Sequence, residues 1–397
     1  MKNLIKIFIS ALFFIILTAD YHSCRTLDEE FSFIVAADMR SSALPQFRDA
    51  SHFQGACEAM KKVGPGAFMI SPGDIDPPGA VREVISEVLG DDFPWYPVVG
   101  NHELEADSHM VYLRNYCEKG IELPHQVNKG PPGCEETTYS FDWDDHHFIV
   151  LNQYYDGKSD TGTDGEMVPE LLDWLTVDLQ RFSKKYTFVF AHEPLIAVPD
   201  MDNGRIRHQD DSLNKYPRST FEFHQILLEH NVTAYFCGHT HNTSVAKING
   251  VWQVDAGHAR GIEGIFPEML IRDASEKIKR EEAGGVNRNR ALENFFAENS
   301  YDCKKILFFT NLTDGESYKN ISDERALPLF KMFYQNYTAD KLLQEQYIMT
   351  FWQNAGLARS TFIKVNTDGI SCSLEIYRDD ARGGHYTLMH RVVLDRI

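Results

Sequence analysis

Five apolar runs in this 397-residue chain each lead to a side chain able to hold a metal ion. Phe31–Ala37 leads to Asp38, Ala67–Ile70 leads through Ser71-Pro72-Gly73 to Asp74, and Trp95–Val99 leads to Asn101. Tyr186–Phe190 leads to His192, and Val232–Cys237 to His239 and His241. Short, bounded runs of this composition predict buried strands. Between them lie helical patterns, such as Val81, Val84, Ile85 and Val88 on one face. Strand, polar tip and helix in repetition predict an α/β fold, whose strand carboxyl edge is where ligands bind.

In an extended segment residues i and i+2 point to the same side, so His239 and His241 suit two neighbouring ions better than one. Carboxylates, a carboxamide and imidazoles form a mixed O/N donor set suited to Fe, Zn, Mn, Co or Ni. Asp74 has two oxygens and is the natural bridge. Two ions roughly 3.5–4 Å apart can hold a hydroxide and clamp a phosphoryl group for in-line attack. His102, directly after Asn101, would then meet the leaving oxygen as a hydrogen-bond donor or general acid.

The formal net charge of −19 argues against binding to nucleic acid or an anionic membrane surface, which reward clustered Lys and Arg. It does not exclude an anionic small substrate, because bound cations dominate the local field. A hydrophobic fraction of 43% is that of a globular chain.

Lys2 and Lys6 precede an uncharged apolar run, Ile7–Ala19, which Asp20 breaks. The run is short for a membrane span and fits an export signal over residues 1–24, predicting a periplasmic or extracellular protein. Lipidation at Cys24 and an uncleaved N-terminal anchor are the alternatives. Export permits disulfides. Of the seven cysteines, Cys117 and Cys134 flank a short Pro-containing loop and are the expected bridge, while Cys237 reads as a buried thiol. Asn231, Asn242, Asn311, Asn320 and Asn336 head glycosylation sequons.

The ordered set Asp38-x-Arg40, Gly73-Asp74, Gly100-Asn101-His102-Glu103, His192-x-Pro194 and Gly238-His239-Thr240-His241 resembles the calcineurin-like metallophosphoesterases. The likeness runs from about Phe31 to Gly261. It implies a four-layer α/β/β/α sandwich with a dinuclear metal site at its edge, acting on a phosphomonoester or phosphodiester. Carried over by position, one metal takes Asp38, Asp74 and His241, and the other takes Asp74, Asn101, His192 and His239. His102 becomes the catalytic histidine.

Two departures stand out. Most of the family has Asp-x-His at the first motif, with that histidine on the first metal, whereas this chain has Arg40. A guanidinium cannot ligate a metal. Arg40 is therefore expected to grip a substrate phosphate oxygen or to replace part of the charge of a weakened first metal. The alternative is a mononuclear or non-catalytic phosphate- or metal-binding relative. Purple acid phosphatases place a tyrosine where Pro77 stands, so no iron–tyrosinate chromophore is expected. His258 is a candidate replacement ligand or substrate contact, and Asp76 a candidate for orienting a ligand.

Residues 267–357 depart from the sheet pattern and read as a helical insertion into a phosphoesterase domain that spans 31–266. Residues 358–397, with a turn at Asp368-Gly369, read as its closing strands.

Overall fold

The computed structural model describes residues 30–118, 123–261, 266–355, 357–379 and 384–395. The expected export signal and Cys24 lie outside the described residues. In chain order the strands are β1 (Phe31–Val35), β2 (Met69–Ser71), β3 (Trp95–Pro97), β4 (Gln126–Lys129), β5 (Tyr139–Trp143), β6 (His146–Val150), β7 (Tyr186–Phe190), β8 (Ala234–Cys237), β9 (Thr243–Ile248), β10 (Val251–Ala256), β11 (Thr361–Thr367), β12 (Cys372–Asp379) and β13 (Tyr386–Leu394). They form two sheets, ordered β13-β12-β11-β1-β2-β3 and β4-β5-β6-β7-β8-β10-β9.

The first sheet is parallel at one end and antiparallel at the other, and the second has a parallel centre with antiparallel flanks. β1, β2 and β3 run parallel in the first, and β6, β7, β8 and β10 in the second. Such strands are covered on both faces and therefore read as unbroken apolar runs. Phe148, Phe188 and Phe236 enter the core between the sheets, where the Phe33 ring lies 5.2 Å from Phe148 and 5.4 Å from Phe188. Their neighbours Ile149, Val189 and Tyr235 point the other way, into a second cluster. That cluster is closed by α4 (Pro169–Arg181) and α5 (Pro217–Glu229) through Leu171, Leu175, Phe223 and Leu227. On the first sheet the connections are α1 (Phe53–Val63), α2 (Pro78–Leu89) and α3 (Asp107–Glu118). The architecture is a helix–sheet–sheet–helix sandwich, as the family resemblance implies.

Five helices follow: α6 (Pro267–Ala283), α7 (Arg288–Glu298), α8 (Ser300–Phe309), α9 (Asp323–Ala339) and α10 (Lys341–Ala355). They bury a core of their own, with Leu270, Phe295, Phe330, Phe333 and Phe351. The chain then returns to pair β11 antiparallel against β1, Phe33 opposite Val365. None of the described helices is long and apolar enough to cross a membrane.

The expected Cys117–Cys134 bridge is absent. Cys134 is a buried thiol whose Sγ lies 3.1 Å from the Thr138 hydroxyl and 3.4 Å from that of Thr137, while Cys117 is buried on α3. The short loop between the two suggested a bridge, but Cys134 packs with Ile149 and Leu171 on the far face of the second sheet and Cys117 packs with the core between the sheets. Asn242 is fully buried and accepts a hydrogen bond from Arg205 Nε at 2.8 Å, so no glycan fits on that sequon in the folded chain.

Candidate metal centre

The strand tips turn back over the sheet edge through left-handed backbone. Asp38 and Asp74 have φ of 54°, His239 of 69° and His241 of 57°, values uncommon outside glycine and concentrated at functional sites. The motif glycines make room for this turn. A Cβ on Gly238 would collide with Asp38 Oδ2, one on Gly73 with the His192 ring, and one on Gly100 with the backbone nitrogen of Asp74.

The tips converge. Ligand-type atoms of Asp38, Asp74 and His192 lie within 4.8 Å of one another. His192 Nε2 lies 3.1 Å from Asn101 Oδ1, 3.3 Å from Asp74 Oδ1 and 3.3 Å from His239 Nδ1. Each ring is fixed from behind. His192 Nδ1 donates to the Pro72 carbonyl at 2.8 Å, and His239 Nε2 donates to the Asp211 carbonyl at 2.7 Å. Asp38 Oδ2 accepts the His239 backbone N–H at 3.0 Å, and its Oδ1 lies 3.4 Å from His241 Nε2.

Charge is strongly perturbed here. Burial raises the Asp38 carboxyl, but His241, His192 and Arg260 outweigh it and bring it to about 2. Burial raises Asp74 as well, and there it prevails. For His192, burial disfavours the charged ring, yet Asp74 and Asp38 overcome it and lift the ring to about 9. Burial, helped by the charge of His192, pushes its neighbour His239 down to about 3. His192 is thus the charged ring of the pair and His239 the neutral one.

His102 stands at the rim, Nε2 3.5 Å from Asp74 Oδ2, with its Nδ1 hydrogen-bonded to Glu105. Arg40 does not reach Asp38 or His241 with its side chain. Its guanidinium is held by Asp76 at 3.2 Å and Glu105 at 3.4 Å. Asp76 therefore orients Arg40. His258 is buried, its Nε2 3.2 Å from the Ala358 carbonyl and its ring centroid 5.9 Å from that of His241.

Sequence reading missed several neighbours. Arg207 Nη1 lies 2.8 Å from His241 Nδ1, and Arg260 Nη2 lies 3.1 Å from His241 Nε2. His208, Asp211 and His239 also bring ligand-type atoms within 4.8 Å, on the outer side of the centre. Buried Glu103 accepts the backbone N–H groups of Gly100 (2.6 Å), Asp74 (2.9 Å) and Ile75 (2.8 Å) and so ties the second and third tips together. Glu105 had a readable signal, an acid three residues after His102 in one turn (Asn101–Glu105). The arginines had none, because they lie in loops that only the tertiary fold brings here.

The donor set fits a transition-metal ion at His192 and His239. Around His192 Nε2 stand an imidazole nitrogen, a carboxamide oxygen and a carboxylate oxygen, and the carbonyl partners of both rings are those that free a ring nitrogen for a metal. The calcineurin-like phosphoesterase family model matches residues 15–243, more than half of the sequence, and the chain belongs to that family. No curated protein matches. Among solved structures, PhoD aligns with a TM-score of 0.46 at 10% identity, over 92% of this chain and 69% of that one. GAP50, the anchor in the inner membrane complex of Plasmodium, aligns at 0.35 and 12% identity, over 57% and 72%. A phosphopantetheinyl hydrolase from Mycobacterium tuberculosis aligns at 0.33 and 15% identity, over 58% and 91%.

Proposed function

We propose that the chain is an exported, metal-dependent hydrolase of phosphomonoesters or phosphodiesters. The observation that carries this reading is the pair His192 and His239, each with one ring nitrogen on a carbonyl and the other two 3.3 Å apart, that of His192 beside Asp74 and Asn101. A bound ion there supplies the Lewis acidity that draws charge from a phosphoryl oxygen. The chain's own groups do the rest. Glu105 holds the His102 ring by Nδ1, leaving Nε2 to meet the leaving oxygen. Arg40, half-buried beside it, offers its remaining donors to a phosphate oxygen. The leader pattern of residues 2–20 supports export.

Hydrolysis of an aryl phosphate and a bis-aryl phosphate tests the reading. Chelator-stripped protein should be inactive and regain turnover with Mn²⁺ or Zn²⁺. His102→Ala should lower kcat by on the order of 10²–10⁴-fold with metal content unchanged. Failure of the wild type to turn over either ester, whatever the metal, would refute the proposal. Export is tested by the N-terminal sequence of the mature protein, expected to begin near residue 24.

A further inference from the structure

We infer that Lys215 is a positioning residue of the metal centre, its ammonium tying the tip that carries His192 to the loop whose carbonyl orients His239. The inference rests on the metal-dependent reading above, and Lys215 acts through Glu193 and Asp211. What has to be held is the 3.3 Å between His192 Nε2 and His239 Nδ1. Two nitrogens about 2.1 Å from one ion stand about 3.0 Å apart at a right angle and about 3.4 Å apart at the tetrahedral angle. The observed spacing falls between the two, so a small drift of either ring takes it out of reach of a shared ion.

The two rings are braced differently. His192 Nδ1 donates to the carbonyl of Pro72, in the short connection between β2 and Asp74. His239 Nε2 donates to the carbonyl of Asp211, in the long stretch between β7 and α5. That carbonyl sets the His239 tautomer and leaves its Nδ1 lone pair inward. An acceptor on a loop is only as fixed as the loop. Asp211 is anchored by its own carboxylate, Oδ1 3.2 Å from Lys215 Nζ and Oδ2 3.2 Å from His208 Nδ1.

Lys215 is itself held from the buried side. Its Nζ lies 3.4 Å from Asp164 Oδ2 and 3.5 Å from Glu193 Oε2 as well as facing Asp211. Asp164 is 80% exposed, and a pair with an exposed partner is worth little. Glu193 is different. It follows His192 directly and its side chain is 2% exposed. Its Oε1 accepts the Tyr154 hydroxyl at 3.3 Å, while its Oε2 has no hydrogen-bond partner among the described residues. A buried carboxylate needs a countercharge, and the Lys215 ammonium supplies it. Glu193 thus fixes the ammonium, the ammonium fixes Asp211, and the Asp211 carbonyl fixes His239. The Leu213 N–H also donates to the Pro194 carbonyl at 3.0 Å, so a loop held by its main chain alone is the competing account.

The test is to titrate the chelator-stripped, full-length protein with Mn²⁺ by calorimetry and to record the histidine ring nitrogens of the metal-free protein by long-range ¹H–¹⁵N NMR. Lys215→Met should weaken Mn²⁺ binding by on the order of 10-fold. It should also turn the single His239 tautomer, with its proton on Nε2, into a mixture. Asp211→Asn keeps the carbonyl and loses the ion pair, so it should weaken binding in the same direction. Wild-type affinity in a folded Lys215→Met overturns the inference whatever its urea midpoint, because a merely structural clamp would lower stability and leave the affinity alone. An unchanged His239 tautomer in Lys215→Met overturns it as well. If Lys215→Met does not fold, wild-type affinity in Asp211→Asn decides against it. In each of these cases the hydrolase reading stands. A wild type that binds no Mn²⁺ defeats the metal-dependent reading, and the inference with it.

Discussion

Glu103 shows how much of the centre is organised by a residue that touches no candidate ligand atom. Its carboxylate gathers three backbone N–H groups from two separate strand tips. Burial, with the charge of Asp74 second, pushes its carboxyl up to about 8. Glu103→Ala would leave three buried donors without their acceptor. At about 1–3 kcal/mol for each unsatisfied group, the loss should exceed about 3 kcal/mol, read as a fall in the urea midpoint at neutral pH. Glu103→Gln keeps the shape and one acceptor oxygen, so it should cost less than Glu103→Ala. The motif residues of this site thus divide into those that face the centre and those, Glu103 and the three glycines, that let the tips approach at all.

At the scale of elements, the site is braced from behind by a pair of side chains far apart in sequence. Arg378 on β12 is fully buried and meets both oxygens of Asp200, Nη1 at 3.1 Å and Nη2 at 2.9 Å, with Asp202 at 2.9 Å. Asp200 in turn accepts the backbone N–H of Thr243 at 2.9 Å, where β9 begins two residues after His241. Burial raises the Asp200 carboxyl, but Arg378 and the hydrogen bonds hold it below the usual carboxylate value. A carboxyl lowered by folding contributes stability above its unfolded value of about 4, and that stability is lost as pH falls through the folded value. Urea midpoints of the wild type should therefore be insensitive to this pair above about pH 5 and decline below about pH 4. Asp200→Asn should show a shallower acid decline and, at neutral pH, a loss of about 3 kcal/mol, the low end for a broken buried pair because Asp202 still faces Arg378. None of this bracing was legible in the sequence. What was legible follows from local chemistry. Strands buried on both faces, such as Phe188-Val189-Phe190, declare themselves by unbroken apolarity. β9 (Thr-Ser-Val-Ala-Lys-Ile), an edge strand with one wet face, does not. Helix α3 carried a readable signal that the strand-tip pattern overshadowed, its buried Met110, Leu113, Tyr116 and Cys117 lying at helical spacing. The candidate ligands could be read from the strand tips. Arg207 and Arg260 could not, because no local pattern says which loop arginine turns inward.

For the molecule as a whole, the separate core of the five helices implies two levels of protection. Phe330 is fully buried among the five helices and shares no cluster with the sandwich. Phe330→Ala should cost about 3–5 kcal/mol. Hydrogen exchange should quicken across residues 267–355 while the amides of β1 and β2 keep their wild-type rates, and equal acceleration in both would show a single cooperative unit. The order of strands in the first sheet has a further consequence, which falls on the chain while it is being made. β1 sits at the centre of that sheet, and one of its two edges is filled only by β11. Every side chain of the metal centre has been synthesised by Arg260, about a hundred residues before that partner emerges. A premature stop codon or a proteolytic cut before Thr361 would leave all the candidate ligands in place and Phe33, Ile34 and Val35 with a bare backbone edge. Such an edge recruits strands from other chains. The truncated product is expected in aggregates rather than in solution, so survival of the centre depends on strands made after every one of its candidate ligands.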